Sequence, residues 1–238
     1  MDEPSSLGAL RASVVNEVSV RREIDLGPFT VLIDAPHDAD ALTRQGVERA
    51  DPSPGYWAHL WPSAIELARY LAASNLIAPG VRFLEIGCGL GLCGIVGAKR
   101  GAVVTMTDFN PDAVAAARRN AELNNLATPN EPGAPARAGQ RTPDSSLGTL
   151  ACEPFDWNTP PPPRWAGAFD LLIASDVLYE PGSAARIARL ILDLGCTALI
   201  ADPARPQSGD VESRFAELGL RAWATPARNG RIMLLTPA

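Results

Sequence analysis

The residues able to do chemistry in this chain gather at three places. Glu85, Gly87, Gly89 and Gly91 alternate across the end of the apolar run Val81–Ile86. Asp108 ends a second apolar run, and Asp176 and Tyr179 follow a third. Glycines between a strand and a helix let the backbone turn tightly and let a ligand lie against it, because no Cβ intervenes. A helix starting at Leu92 would point its free N–H groups into the same space. Asp108 offers two acceptor oxygens there, which suits a ribose diol, so a nucleotide-like ligand is expected; the alternative is a tight turn that binds nothing. At the third place, Asp176 can orient a cation and the Tyr179 ring can add cation–π attraction. The plainer reading is that Asp176 caps the next helix while Tyr179 packs.

The elements that must hold these residues are legible in the apolar periodicity. Val81 to Ile86, the helical stretch Leu92 to Arg100 with Gly101 as its stop, and Val103 to Thr107 form a βαβ unit. Asn110 and Pro111 read as N-cap and first helical residue of a helix through Asn124. Leu147 to Cys152 and Phe169 to Ala174 are the next strands, the latter buried on both faces. A helix over 181–194 stops at Gly195, Ala198 to Ala201 is a further strand, and Val211, Phe215 and Leu218 mark a helix closed by Gly219. Arg221 to Thr225 and Arg231 to Leu235 are joined across Asn229-Gly230, too short a link for a parallel crossover, so these two pair antiparallel.

Upstream, Asn16 to Ile24 and Phe29 to Ile33 flank Leu26-Gly27-Pro28 and predict a β-hairpin added before the main sheet. Asp34 to Gly55 reads as a polar connection. Ser63-x-x-Glu66 reads as a capping box that opens a helix behind Tyr56, Trp57 and Trp61; the two tryptophans either pack this helix or wall the ligand pocket. Segment 127–146, rich in Pro, Gly and Ser, is expected to be a flexible insertion.

Composition narrows the function. With 238 residues, 46% of them apolar, one substantial core is possible, and the expected division is an extension over 1–55 and one main domain over 56–238. No apolar run reaches the length of a membrane span and no export signal is visible, so a cytoplasmic protein without membrane contact is expected. Cys88, Cys93, Cys152 and Cys196 form no C-x-x-C pair and read as buried free thiols. With only His37 and His59 beside them, a metal site or a Ser-His-Asp triad lacks parts. A net charge of −6 argues against a nucleic-acid partner and mildly for a basic one. The basic residues are arginines apart from Lys99, which falls far from the strand ends and so supplies no catalytic amine.

Two ligand families fit the glycine loop. Gly89-x-Gly91-x-x-Gly94 satisfies the dinucleotide fingerprint, but a plain dinucleotide fold would alternate strand and helix to its end, whereas this chain finishes in a hairpin. Together with Trp57-Ala58-x-x-Trp61-Pro62, Glu85-x-Gly87-x-Gly89-x-Gly91, Asp108, Asp156-Trp157 and Asp176-Val177-Leu178-Tyr179, that ending resembles the class I S-adenosylmethionine (SAM) methyltransferases. More narrowly it resembles the protein-lysine methyltransferases of methyltransferase family 16, and Asp202-Pro203-Ala204-Arg205 is similar to a strand end in the branch containing the electron transfer flavoprotein β-subunit lysine methyltransferase. The resemblance implies an α/β, Rossmann-like doubly wound seven-strand sheet with an antiparallel terminal hairpin strand.

It also implies SAM as cofactor, bound by Trp61, Glu85, Gly87, Gly89, Gly91, Asp108, Asp156, Trp157 and Ser175. Glu85 and the Gly87 backbone would hold the methionine amino end, Asp108 the ribose, and Asp156 and Trp157 the adenine. Asp176 and Tyr179 would be catalytic. The expected acceptor is a lysine of a protein substrate, met by a monomer. A small amine or nicotinamide-like ring, and a non-catalytic SAM-binding module, remain the alternatives.

Overall fold

The computed structural model describes residues 19–48, 55–126, 147–205 and 210–238. The expected insertion at 127–146, and the first residues of the expected hairpin, lie outside them.

Five strands form the parallel part of one sheet: β3 (Arg82–Ile86), β4 (Val103–Asp108), β5 (Thr149–Pro154), β6 (Leu171–Ser175) and β7 (Thr197–Asp202). The terminal hairpin, β8 (Leu220–Ala227) and β9 (Gly230–Pro237), completes it in the order β5-β4-β3-β6-β7-β9-β8, with β9 antiparallel to β7. This is the expected seven-strand architecture. From β3 the chain moves outward through β4 to β5, then returns to lay β6 on the other side of β3. The direction of winding therefore reverses between β3 and β6, and a crevice opens beyond their carboxyl ends, where ligands of such sheets bind. Ile86 pairs in register with Ala174, so the glycine loop and Ser175-Asp176 leave the sheet side by side.

Both faces of the sheet are covered, which explains its nearly continuous apolar strands. Leu84, Ile86, Leu172, Ala174, Ala198 and Ile200 pack with α5 (Ser183–Leu194) and α6 (Val211–Glu217). Phe83, Val104, Met106, Leu150, Ile173 and Leu199 pack with α2 (Pro62–Ala73), α3 (Leu92–Lys99) and α4 (Pro111–Leu123). Helix α3 is buried from Leu92 to Ala98. A Cβ on Gly97 would overlap the Phe83 ring and one on Gly94 would overlap Met106, so these two glycines let the helix sink onto the sheet.

The upstream hairpin is present as β1 (Ser19–Asp25) and β2 (Thr30–Pro36). Its Val31, Ile33 and Ala35 alternate into the core shared with α2, α3 and α4. It is fastened by two asparagines one turn apart, Asn120 on α4 and Asn124 at its C-cap, which act like the edge of a strand. Asn124 accepts from the Leu32 N–H at 3.1 Å and donates to the Leu32 carbonyl at 2.7 Å. Asn120 does the same for Asp34, at 2.8 and 3.3 Å, and also donates to Leu90 O. Part-buried backbone groups of β2 thereby gain partners.

Two expectations need correction. The supposed connection after Asp34 contains a helix, α1 (Ala39–Glu48), opened by Asp38, whose carboxylate accepts from the Ala41 N–H at 2.7 Å. Within it Gly46 alone is fully buried, and half of the helix's residues are polar, so the stretch reads as a connection in sequence. The capping box is also absent. Helix α2 begins at Pro62, its N-cap Trp61 makes no side-chain cap bond, and Ser63 is already inside the first turn. Proline supplies the start because its fixed φ suits the first helical position. That leaves Ser63 and Glu66 for other partners: the Ser63 hydroxyl donates to Asp176, and Glu66 accepts from Asn229 in the turn between β8 and β9.

Candidate active site

Beyond the ends of β3, β4 and β6 lies a cleft lined by the glycine loop, Asp108 to Asn110, Trp157, the 175–180 loop and the aromatic segment before α2. Of the expected site residues, Trp61, Glu85, Gly87, Gly89, Asp108, Trp157, Ser175, Asp176 and Tyr179 line it. Gly91 and Asp156 are not among its walls. Gly91 is the N-cap of α3, in the left-handed region at φ 83°, and a Cβ there would press on Ala117 and Met106; its part is to shape the loop. Asp156 turns one oxygen back to its own loop, accepting from the backbone and side chain of Asn158 at 2.8 and 2.7 Å.

The loop is built for close approach. Gly87 and Gly89 have φ of 62° and 50°, values that side-chain-bearing residues rarely take. A Cβ on Gly87 would lie 3.0 Å from the Trp157 ring and 3.2 Å from Val177, so the indole closes over bare backbone. Asp108 braces the loop from the next strand. Its Oδ2 accepts from the Gly89 N–H and its Oδ1 from the Asn110 N–H, both at 3.0 Å. The Phe109 N–H adds a third, smaller backbone contribution to the carboxylate. Burial raises the Asp108 pKa, while the bonds from Asn110 and Gly89 lower it.

Glu85 lines the cleft from the end of β3. It is 3% exposed, and its Oε2 accepts from the Gly94 N–H at 2.8 Å. One N–H of the α3 amino terminus is therefore taken up inside the protein. Burial, with a smaller contribution from the charge of Asp108, pushes the Glu85 carboxyl up to about 8, against the Gly94 bond that favours ionisation. At neutral pH it holds its proton until a positive group approaches.

The opposite wall is aromatic. Tyr56 and Tyr179 meet edge to face at 6.2 Å, both about two-fifths exposed, and His59 lies 5.1 Å from the Trp61 ring. Trp61 donates to Tyr56 O at 3.1 Å. Trp57 and Trp61 thus line the cleft as well as helping to seat α2. Burial, with the charge of Glu180 next, pushes the Tyr179 hydroxyl up to about 12, so it keeps its proton at neutral pH. Phe109 and Tyr56 are exposed lining residues that sequence reasoning did not assign to the site; the one signal for Phe109 was its place directly after the strand-ending acid.

The structure gives Asp176 a role unlike the helix cap. Helix α5 starts at Ser183 with Gly182 as N-cap. Asp176 is 8% exposed and sits in the left-handed region at φ 57°. Its Oδ1 accepts from Arg205 Nη1 at 2.5 Å and its Oδ2 from Ser63 Oγ at 3.3 Å. Neither partner was recognised from sequence, because each comes from a different element.

The donor set speaks about the ligand. Among the described residues that line the cleft are Glu85, Asp108, Asp176 and Glu180, and no Lys or Arg. A pyrophosphate would find no Lys or Arg among these lining residues to meet its charge, whereas a ligand with an amino group and ribose hydroxyls finds acceptors for both. All four cysteines are free and buried. Burial holds the thiols of Cys88 and Cys93, which line the cleft, far above their ordinary range and so unreactive. Among the described residues no group of three or more His, Cys, Asp or Glu is arranged to hold a metal ion, and no helix is long and apolar enough to cross a membrane.

Comparison with known proteins agrees with the fold. Residues 48–134 match the family model described as lysine methyltransferase. The chain is 31% identical over 206 residues to the zebrafish (Danio rerio) electron transfer flavoprotein beta subunit lysine methyltransferase, covering 83% of this chain and 66% of that one. It is 32% identical over 126 residues to the Homo sapiens histone-arginine methyltransferase METTL23, covering 52% and 55%. The chain thus spans about half to just under two thirds of the length of these relatives. Among solved structures, a putative SAM-dependent methyltransferase from Methanococcus maripaludis superposes with a TM-score of 0.52 at 14% identity, over 83% of this chain and 94% of that one, which speaks for the fold alone. The seven-strand sheet with its terminal antiparallel hairpin and these sequence relationships lead to one conclusion: the chain has the fold of the class I SAM-dependent methyltransferases and is similar in sequence to the family described as lysine methyltransferase.

Proposed function

We propose that the protein transfers a methyl group from SAM to the side-chain nitrogen of a lysine in a protein substrate. The observation that carries this reading is the composition of the cleft: four acidic side chains, of which Glu85 holds its proton while Asp176 and Glu180 are paired with Arg205 and Arg186, no Lys or Arg among the described lining residues, and the exposed Tyr56–Tyr179 pair. Such walls suit a cationic cofactor, the aromatic faces meeting its sulfonium, and an amine acceptor whose N–H groups find acceptor oxygens. The names of the relatives, which modify lysine or arginine in proteins, support a protein acceptor.

The residues present fit the cofactor. Glu85 would take its amino group, the bare backbone of Gly87 and Gly89 its methionine chain, Asp108 its ribose hydroxyls, and Trp157 with Phe109 its adenine. Bound there, SAM supplies a methyl group activated on sulfur. The chain's own task is then alignment, since displacement at a methyl carbon needs proximity more than an acid–base relay. Tyr179 offers a π-face to the incoming amine and keeps its hydroxyl proton, so the proton lost by the acceptor passes to solvent. Free buried thiols suit a reducing compartment, and we place the protein in the cytoplasm, acting as a monomer.

The test is incubation with methyl-tritiated SAM, using a protein extract and, separately, recombinant electron transfer flavoprotein β subunit, followed by hydrolysis and identification of the labelled amino acid. Methyl-lysine is expected. Label confined to methylarginine or to small amines would replace the lysine reading, and absence of transfer with tight SAM binding would favour a non-catalytic module.

A further inference from the structure

Two loops that leave the carboxyl edge of the sheet are tied together outside the cleft. The first carries Asp176 after β6; the second, Asp202-Pro203-Ala204-Arg205, follows β7. Of the three described non-glycine residues with positive φ, two are Asp176 at 57° and Ala204 at 55°, and such strain persists only where the surroundings enforce it. The surroundings here are specific. Asp202 accepts from the Ala204 N–H at 3.0 Å and is itself held by Arg231 at 3.0 Å, which folds the second loop back. The Asp176 N–H donates to Ala201 O at 2.9 Å. The fold-back delivers the Arg205 guanidinium to Asp176 Oδ1. Asp176 lines the cleft, whereas Arg205 is not among its lining residues, so inside the cleft the arginine acts through the carboxylate.

We infer that Arg205 is a positioning residue for methyl transfer, holding the Asp176 carboxylate at the cleft wall and offsetting its charge there, so that the acceptor amine is bound as the free base. The inference rests on the lysine reading above. The reacting nitrogen must use its lone pair: the N–CH3 bond forms as the S–CH3 bond breaks, the bonding pair leaves with sulfur, and the ammonium proton goes to water beforehand. A lysine in water holds its proton up to about pH 10.4. A lone buried carboxylate would hold that proton more firmly still. A carboxylate shared with a guanidinium can accept one N–H of the amine without stabilising the ammonium to the same degree. The other charged or titratable groups facing this place are Tyr179 and Glu180 on the same loop, Tyr56 and His59 from the segment before α2, and Glu85, Cys88, Cys93 and Asp108 across the cleft. Glu180 already has Arg186 at 3.2 Å. Ser63 supplies the second, uncharged contact to Asp176.

The experiment compares the parent with Arg205→Gln, Arg205→Lys, Asp176→Asn and the Asp176→Asn/Arg205→Gln double variant. The acceptor is the electron transfer flavoprotein β subunit or, if that takes up no label, the extract protein that does. At saturating SAM and acceptor, kcat is followed from pH 7 to 10, and the Kd of S-adenosylhomocysteine (SAH) is measured by calorimetry. Arg205→Gln is expected to lose about tenfold in kcat at pH 7.5 and to recover toward the parent near pH 10, a shift on the order of one pH unit. The acceptor KM is expected to stay or fall, and the SAH Kd to stay within twofold. Arg205→Lys should keep most of the activity, and the double variant should be no worse than Asp176→Asn. A loss of equal size at every pH, a parallel loss of SAH affinity, or a further tenfold loss in the double variant would each overturn the inference. If Arg205→Gln does not fold, the double variant against Asp176→Asn makes the same comparison without an unpaired buried charge. A parent enzyme that methylates no lysine overturns the reading beneath the inference, and the inference with it, whereas an active parent with an unchanged Arg205→Gln profile overturns the inference alone.

Discussion

Glu85→Gln should stabilise the free protein while weakening its hold on the cofactor. The folded carboxyl lies at about 8 against an ordinary 4.5. At pH 7 the unfolded chain carries an ionised Glu85 and the folded chain a protonated one. A carboxyl raised on folding lowers stability as pH climbs from its unfolded to its folded value, because the unfolded state gives up its proton first. Between pH 4.5 and pH 7 this costs about 3 kcal/mol, at about 1.36 kcal/mol per pH unit. Glutamine cannot ionise, has nearly the same shape, and its carbonyl can still accept from Gly94. For a chain of this size about 2–4 °C of melting temperature accompanies each kcal/mol. The variant should therefore melt roughly 6–12 °C above the parent at pH 7 and together with it near pH 4.5, measured by calorimetry without ligand. With SAH the order changes. The ligand's ammonium favours an ionised Glu85, so parent affinity should rise between pH 6 and 8, while the variant binds at least tenfold more weakly, without that rise. Equal melting temperatures at pH 7, or SAH affinity in the variant that still rises with pH, would refute the reasoning.

Other outcomes follow from the same geometry. Asp108→Ala should weaken SAH binding in calorimetry and also lower the melting temperature, since it strips partners from the Gly89 and Asn110 N–H groups, at about 1–3 kcal/mol for each donor left buried. Asn124→Ala should speed amide hydrogen exchange at Leu32 and cost about 1–3 kcal/mol, because the Leu32 N–H and carbonyl lose their partner; Asn120→Ala should do the same at Asp34. Gly97→Ala, harmless in an exposed helix, should cost several kcal/mol in urea unfolding because the added methyl overlaps the Phe83 ring.

Much of this protein was settled by local pattern. The apolar periods of β3, β4, β6 and β7, Gly101 and Gly195 as helix stops, Pro111 behind Asn110, and the short Asn229-Gly230 link are features whose physics lies within a few residues. From them came the seven-strand sheet with its terminal hairpin, and hence the edge at which Glu85, Asp108, Asp176 and Tyr179 had to meet. Helix α1 escaped because it is short and rich in polar residues, with Gly46 alone fully buried, so its stretch read as a connection. Ser63 was read as a cap because serine before a glutamate three positions on usually is one; a neighbouring proline had already started the helix, which left the hydroxyl for Asp176. The docking of Asn120 and Asn124 on β2, the raised Glu85 carboxyl and the Arg205–Asp176 pair were decided by tertiary structure alone. Each depends on burial or on a partner between nine and ninety-two positions away, as with Glu85–Gly94 and Leu32–Asn124, and residue type or spacing carries no signal for a charge that only the folded chain brings into contact.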